Sequence, residues 1–325
     1  MADTTYTPVA GDFELLTGRD VVADENFASQ GYWKSVATIF FRNRRAVVGL
    51  VLVLAVIALA VLGPLLSPYA YDQIIRDPVN EATVAKGIAP PGTAQGPFAG
   101  KLFLFGTDDL GRDLWTRTWQ GARISLVIAF VTIFIDMIIG MSYGLISGYF
   151  GGIVDNVMQR FVEVAVSIPS LVIVAVLAIF MPKGMGLVIV TLLLTEWIPM
   201  SKIARAEMLK LKEQEYVLAS RTLGAKSMHI IFRQILPNTI GPIITQMMFS
   251  IPMAIFTEAF LSFVGVGIML PQCSVGSLIS TGFNNISTLP YQILSPILVL
   301  ALQMLGFNFI GDGLREALAP RLEDM

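Results

Sequence analysis

Histidine and cysteine occur once each in the 325 residues, as His229 and Cys273, and charged side chains make up only 14% of the chain. One cysteine excludes a disulfide within the chain, and one histidine excludes a histidine-rich metal cluster. The net charge of −2 gives no footprint for a nucleic-acid partner. A GxxxxGK[ST] phosphate loop is missing, and with it the usual means of binding and hydrolysing ATP. The first 30 residues lack the basic n-region and apolar core of a cleavable signal peptide, so the first apolar run is expected to stay in the mature protein as a helix. Soluble domains carry about 25% charged residues. A chain this poor in charge and 54% hydrophobic calls for a non-aqueous solvent.

A helix needs about 20 mostly apolar residues to cross a bilayer. Six runs meet or approach that length: 46–66, 124–146, 162–181, 186–200, 239–268 and 290–310. The fold class is therefore an all-α integral membrane protein with about six transmembrane helices. Pro169, Pro199 and Pro252 are expected to kink their helices. Gly140, Gly144 and Gly148, spaced at i, i+4, suit close helix contact. Before the first span, Trp33, Val36, Ala37, Phe40 and Phe41 recur at helical spacing. They read either as an amphipathic helix along the inner interface or as an extension of the first span.

Orientation follows lysine and arginine. Arg42, Arg44 and Arg45 precede the first span, and Lys202, Arg205, Lys210, Lys212, Arg221, Lys226 and Arg233 crowd one polar connection. Both segments are expected in the cytoplasm, as is the tail with Arg315 and Arg321. The expected organisation is a cytoplasmic N-terminal segment 1–45, a first span 46–66, an extracytoplasmic loop 67–121, a five-helix core 122–312 that includes a cytoplasmic loop 201–238, and a cytoplasmic tail 313–325. Within the outer loop, Thr107-Asp108-Asp109-Leu110-Gly111-Arg112-Asp113 has no EF-hand spacing. It reads as a cap on the outer end of the second span, and no metal site is expected.

The informative segment is EQEYVLASRTLGAKSMHIIFRQILPN, residues 213–238. Good helix formers run from Glu215 to Leu223, and Gly224 breaks the run as glycine does past a helix end. A second helix is expected over 227–235, with Ser227 as N-cap and Pro237 ending it. His229 on this second stretch reads as an interfacial histidine, and no catalytic residue is identified.

This segment resembles the EAA loop of importer-type ABC transporter permeases: Glu-Ala-Ala, three residues, Gly, then about nine residues before hydrophobic-x-Leu-Pro. Ala219, Gly224, Leu236 and Pro237 fall in register, whereas Leu218 and Ser220 replace the Glu and second Ala, and Gln234 occupies the hydrophobic position. Glu215-Tyr216-Val217 is similar to the start of this loop in the peptide-permease branch. Residues 105–126, 151–172 and 308–321 resemble the same branch, the C-type subunits of dipeptide and oligopeptide permeases. The resemblance implies the six-helix type I importer permease fold in a prokaryotic plasma membrane. It implies a homologous B-type second permease, two ATP-binding subunits that hold ATP and magnesium, and an extracytoplasmic peptide-binding protein; the chain itself needs no cofactor. It further implies an ATPase-coupling loop of Glu215, Tyr216, Ala219, Gly224, Ala225, Leu236 and Pro237. The same resemblance leaves a nickel or glutathione permease of this family as the alternative reading.

Glu258 and Asp136 lie inside predicted spans. A charge at a helix centre costs about 2.5–3.5 kcal/mol on insertion scales, so each should face the bundle, water or a subunit interface. Glu258 reads as a group on the translocation path or subunit interface, or as a buried hydrogen-bonded acid. An ion-driven secondary transporter with Glu258 or Asp136 as a proton site is the rival from another class.

Overall fold

The computed structural model describes residues 32–318 except 78, 91, 94–97 and 99; the segment 1–30 and Arg321 of the tail lie outside the described residues. A first helix, α1 (Tyr32–Arg42), stops at Asn43, whose extended backbone separates it from α2 (Arg44–Leu62). The Asn43 side chain accepts from the N–H groups of Arg45 and Ala46, satisfying two donors that a helix start leaves open. So α1 is a helix of its own. Val36 and Phe40, one turn apart, are buried against α12 (Leu294–Leu318), while Trp33 and Phe41 are exposed.

Among the described residues, five helices or helix runs are long and apolar enough to cross a membrane: Arg44–Leu66, Leu114–Phe150, Met185–Leu211, Ser227–Phe263 and Pro290–Leu318. A bent pair supplies the sixth. It comprises α4 (Gly152–Ser167) and α5 (Ser170–Phe180), which meet at 82°. Pro169 makes the bend. It has no N–H to return to Ala165, and it drives the preceding residue out of the helical region; Ile168 sits at φ −95°, ψ 115°. What reads as one span with a kink is a near right angle.

The second span, α3 (Leu114–Phe150), has 37 residues and at 1.5 Å per residue is about 55 Å long, so it outruns a hydrocarbon core of about 30 Å. Its start is fixed by Asp113, which accepts from the Thr116 N–H and hydroxyl and from Ser67. Asp108 closes the turn before it, accepting from the Leu110 and Arg112 N–H groups and from Arg112 Nε at 2.7 Å. The segment 67–113 also carries a short antiparallel pair, β1 (Gly92–Thr93) with β2 (Leu102–Phe103), over a small core of Ile75, Ala85, Phe98 and Phe103.

Two helices, α6 (Met185–Thr195) and α7 (Trp197–Leu211), join at Glu196; the α-helical partner of the Thr195 carbonyl would be the N–H of residue 199, which is proline. The α7 helix packs along α3 so closely that a Cβ on Gly144 would strike the Ser201 carbonyl. Next come α8 (Glu215–Thr222), α9 (Ser227–His229), a π-helical stretch Ile230–Ile235 and α10 (Leu236–Phe263). Here the expectation of a second short helix ended by Pro237 is corrected. The chain stays helical through Pro237, Pro242 and Pro252, because the wider turn before Pro237 shifts the hydrogen-bond register by one residue, as π-bulges do. Ser227 is not the N-cap either; it is the first helical residue, after Lys226. A short helix, α11 (Val275–Asn284), opened by a Ser274–Ser277 capping box, fills the polar dip before α12.

Candidate functional site

The α8 helix lies across the end of the bundle where α3 and α7 finish and α10 begins. Val217 holds it there. This side chain is fully buried in a cluster with Leu145, Ala204, Met208, Ile230, Ile231 and Ile235, and Ala225 and Leu236 pack on its edge. Burying a valine is worth about 1.5–3 kcal/mol. Side-chain bonds add direction. Asn238 Nδ2 donates to the Tyr216 hydroxyl at 3.3 Å, tying α8 to the start of α10. Gln234 Nε2 donates to Ser220 Oγ at 2.8 Å. The Arg221 guanidinium lies 5.4 Å from the Tyr149 ring centroid.

Gly224 ends α8 at φ +82°. The Gly224 N–H returns to the Arg221 carbonyl and the Ala225 N–H to the Ser220 carbonyl, the paired bonds of a Schellman turn. No atom lies within 4 Å of where a Cβ would stand, so the constraint on this residue within the chain is conformational. With Val217 turned inward, Glu215, Leu218 and Ala219 face out, and Leu223 is 87% exposed. The loop thus presents a mixed apolar and acidic surface on a short, firmly seated helix. All seven loop residues singled out in the sequence gather at this end of the bundle. Pro237 does so as part of α10.

Sequence reasoning missed the clamp beneath the loop. Arg205 on α7 makes a bidentate pair with Asp155 on α4, Nε to Oδ1 at 2.7 Å and Nη2 to Oδ2 at 2.6 Å. Ser147 of α3 donates to the same carboxylate, and Lys212 Nζ donates to the Gly148 carbonyl at 3.0 Å. Three helices are locked at the α8 end. Fifty residues separate the two charges, and no local spacing marks them as partners.

Glu258 of α10 is 0% exposed. Its carboxylate accepts from Ser125 Oγ at 2.6 Å and from Ser262 Oγ at 2.8 Å. Those hydroxyls accept in turn from the Val275 and Ile268 N–H groups. The acid is the centre of a polar knot joining α3, α10 and the start of α11. Asp136 of α3 differs. It is 2% exposed, and neither oxygen has a hydrogen-bond partner among the described residues. Glu196, at the join of α6 and α7, is only half-buried and accepts from Thr257 at 3.2 Å. The structure does not bring Asp136 and Glu258 together with the loop residues.

Cys273, in the connection before α11, is fully buried, and its thiol donates to the Arg117 carbonyl at 3.4 Å. Burial pushes the Cys273 thiol above its usual range.

Residues 140–324 match the family model described as the binding-protein-dependent transport system inner membrane component, and residues 31–91 match that of the N-terminal TM domain of oligopeptide transport permease C. The oligopeptide transport system permease protein OppC of Bacillus subtilis is 40% identical over 313 residues, covering 96% of this chain and 94% of its own. The dipeptide transport system permease protein DppC of the same organism is 42% identical over 86% of this chain and 83% of its own. OppC of Escherichia coli K12 is 36% identical over 94% and 99%. Among solved structures, an inward-facing form of the MetNI methionine ABC transporter aligns with TM-score 0.51 and 18% identity over 62% of this chain and 95% of its own. At that identity it speaks for the fold, which is the type I importer permease fold.

Proposed function

The chain belongs to the family of binding-protein-dependent transport system inner membrane components, and on that premise we propose that it is one permease subunit of an ATP-driven importer of dipeptides or oligopeptides. The peptide substrate rests on the names of the relatives, oligopeptide and dipeptide permeases. The subunit sits in a prokaryotic plasma membrane with the α8 end and both termini in the cytoplasm. It pairs with a homologous B-type permease to enclose the path. Two ATP-binding subunits, which carry ATP and magnesium, dock beneath α8, and a peptide-binding protein delivers cargo from outside.

One observation carries the coupling role: α8 is stiff, seated by Val217 and turned at Gly224, while Glu215, Ala219 and Leu223 face away from the bundle. A helix held that way transmits a push. ATPase closure moves α8, and the Tyr216–Asn238 bond and the shared apolar cluster pass the movement to α10 and to the α3–α4–α7 clamp. This is a rigid element with two arrangements. Glu258, tied to two serines, holds the bundle together at the far end rather than meeting the cargo.

The test is reconstitution of all subunits in liposomes with a labelled oligopeptide. Uptake should need ATP and loaded binding protein, and the chain alone should hydrolyse no ATP. Uptake driven by an ion gradient without the ATPase subunits would place the protein in the ion-driven class instead.

A further inference from the structure

At the α8 end, helices α1, α7, α10 and α12 line an open cavity of about 1010 Å³, at the top of the range of small-molecule pockets, about 300–1,000 Å³. Ile39 of α1, Ile203 of α7 and Ile240 of α10 give it apolar walls, and Lys210 of α7 and Arg315 of α12 give it charge. Both cations are exposed. Neither has a carboxylate within ion-pair distance among the described residues; the Arg315 guanidinium lies over the Phe249 ring, 5.3 Å from its centroid. Glu207 also lines the cavity, so among the described lining residues two cations and one anion leave a net +1. The position matters as much as the charge. The α1 helix precedes the first span and α12 ends the last, so the cavity sits where hydrocarbon meets headgroups.

We propose that this cavity binds one anionic phospholipid of the cytoplasmic leaflet, with its phosphate between Lys210 and Arg315 and an acyl chain along Ile39, Ile203 and Ile240. Basic pockets between membrane helices on the cytoplasmic side suit anionic headgroups. A net +1 matches a singly charged phosphodiester. A nucleotide brings two or more negative charges past Glu207, and free phosphate leaves the apolar wall facing water, which is unfavourable. Pro237 and Asn238 line the same cavity, and Asn238 is bonded to Tyr216 of α8. The lipid therefore touches the joint between the coupling loop and α10. This inference rests on the membrane orientation proposed above but not on the peptide substrate.

The test uses the assembled importer in nanodiscs of phosphatidylcholine with or without phosphatidylglycerol, and native mass spectrometry of the released complex. One retained phosphatidylglycerol per copy of this chain is expected. Each charge near an anionic surface is worth about fivefold in affinity, so K210Q and R315Q should each weaken retention about fivefold and the double variant about 25-fold. K210R/R315K should retain the lipid, and K202Q, on α7 but outside the cavity, should leave retention unchanged. Equal retention of both lipids, unchanged retention in the double variant, an equal loss in K202Q, or displacement by inorganic phosphate would each overturn the proposal. ATP-driven uptake measured on the same preparations keeps a failure here separate from a failure of the transport function.

Discussion

Ser220 and Gln234, two positions where this loop departs from the Glu-Ala-Ala pattern, are hydrogen-bonded to each other, Gln234 Nε2 to Ser220 Oγ at 2.8 Å. One substitution supplies the partner of the other. The bond ties the last turn of α8 to the π-helical stretch that feeds α10, so the seat of α8 is held by a polar contact where the common pattern has two apolar side chains.

That pairing predicts strong coupling in a double-mutant cycle. Ser220→Ala strands a partly buried amide and should cost about 1–3 kcal/mol, whereas Ser220→Ala with Gln234→Leu replaces both partners and should be nearly neutral. Thermal stability of the purified subunit reads the cycle. Additive losses would show that the bond contributes nothing to seating α8.

Gly224 tests the turn. Its φ of +82° costs any other residue about 1–2 kcal/mol, yet the space around it is open within the chain. Gly224→Ala should therefore insert and pair normally but lose part of its transport, and Gly224→Asp and Glu215→Lys should lose most of it. Docking of the ATPase subunits should weaken, or hydrolysis should run on without uptake. Normal transport and docking in Gly224→Asp and Glu215→Lys would remove the coupling role from α8.

Glu258 separates a structural acid from a path residue. Glu258→Gln keeps an acceptor for one serine and a donor for the other, so assembly and uptake should survive. Glu258→Leu leaves the Ser125 and Ser262 hydroxyls without their acceptor, a loss of about 2–4 kcal/mol, and the subunit should fail to accumulate. A Glu258→Gln subunit that assembles fully but transports nothing would put the carboxylate on the path.

The Asp155–Arg205 clamp is partly exposed, 12% and 31% at the side chains, so its worth lies between the surface and buried limits, about 2 kcal/mol. Arg205→Gln should lower stability by that amount and uncouple hydrolysis from uptake, with Arg205→Lys restoring only part because the bidentate fork is lost. Full coupling in Arg205→Gln would mean that the three helices move together without it.

Topology can be read with impermeant thiol reagents. Cys273 should stay unlabelled from either side, since it is buried and its raised pKa keeps the thiol protonated through neutral and mildly alkaline pH. Thr107 is a poor reporter site because it too is fully buried, with its hydroxyl bonded to the Ala85 carbonyl. Val79, 93% exposed, is the better one. In a Cys273→Ser background, Val79→Cys should label only from outside and Ser227→Cys only from inside. Outside labelling at Ser227 would break the six-span arrangement.

Long uncharged runs, the basic cluster over 201–233 and the glycine eight residues after Tyr216 are local facts, and they were enough to give the sequence its fold class, its spans and the turn after α8; the coupling role of that segment came from its resemblance to a family loop. Each depends only on neighbours in the chain: apolar length sets what enters a bilayer, and the need for positive φ selects glycine. What the chain does at a proline is not local. Pro169 turns its helix by 82°, while Pro237, Pro242 and Pro252 leave α10 unbroken. Nor can a linear pattern show that Val217 is the residue that anchors its helix, that Asp155 finds Arg205 fifty residues away, or that Glu258 meets Ser125 across 133. Those choices belong to the tertiary structure, since burial of a polar or apolar group is decided by whichever distant surface closes over it.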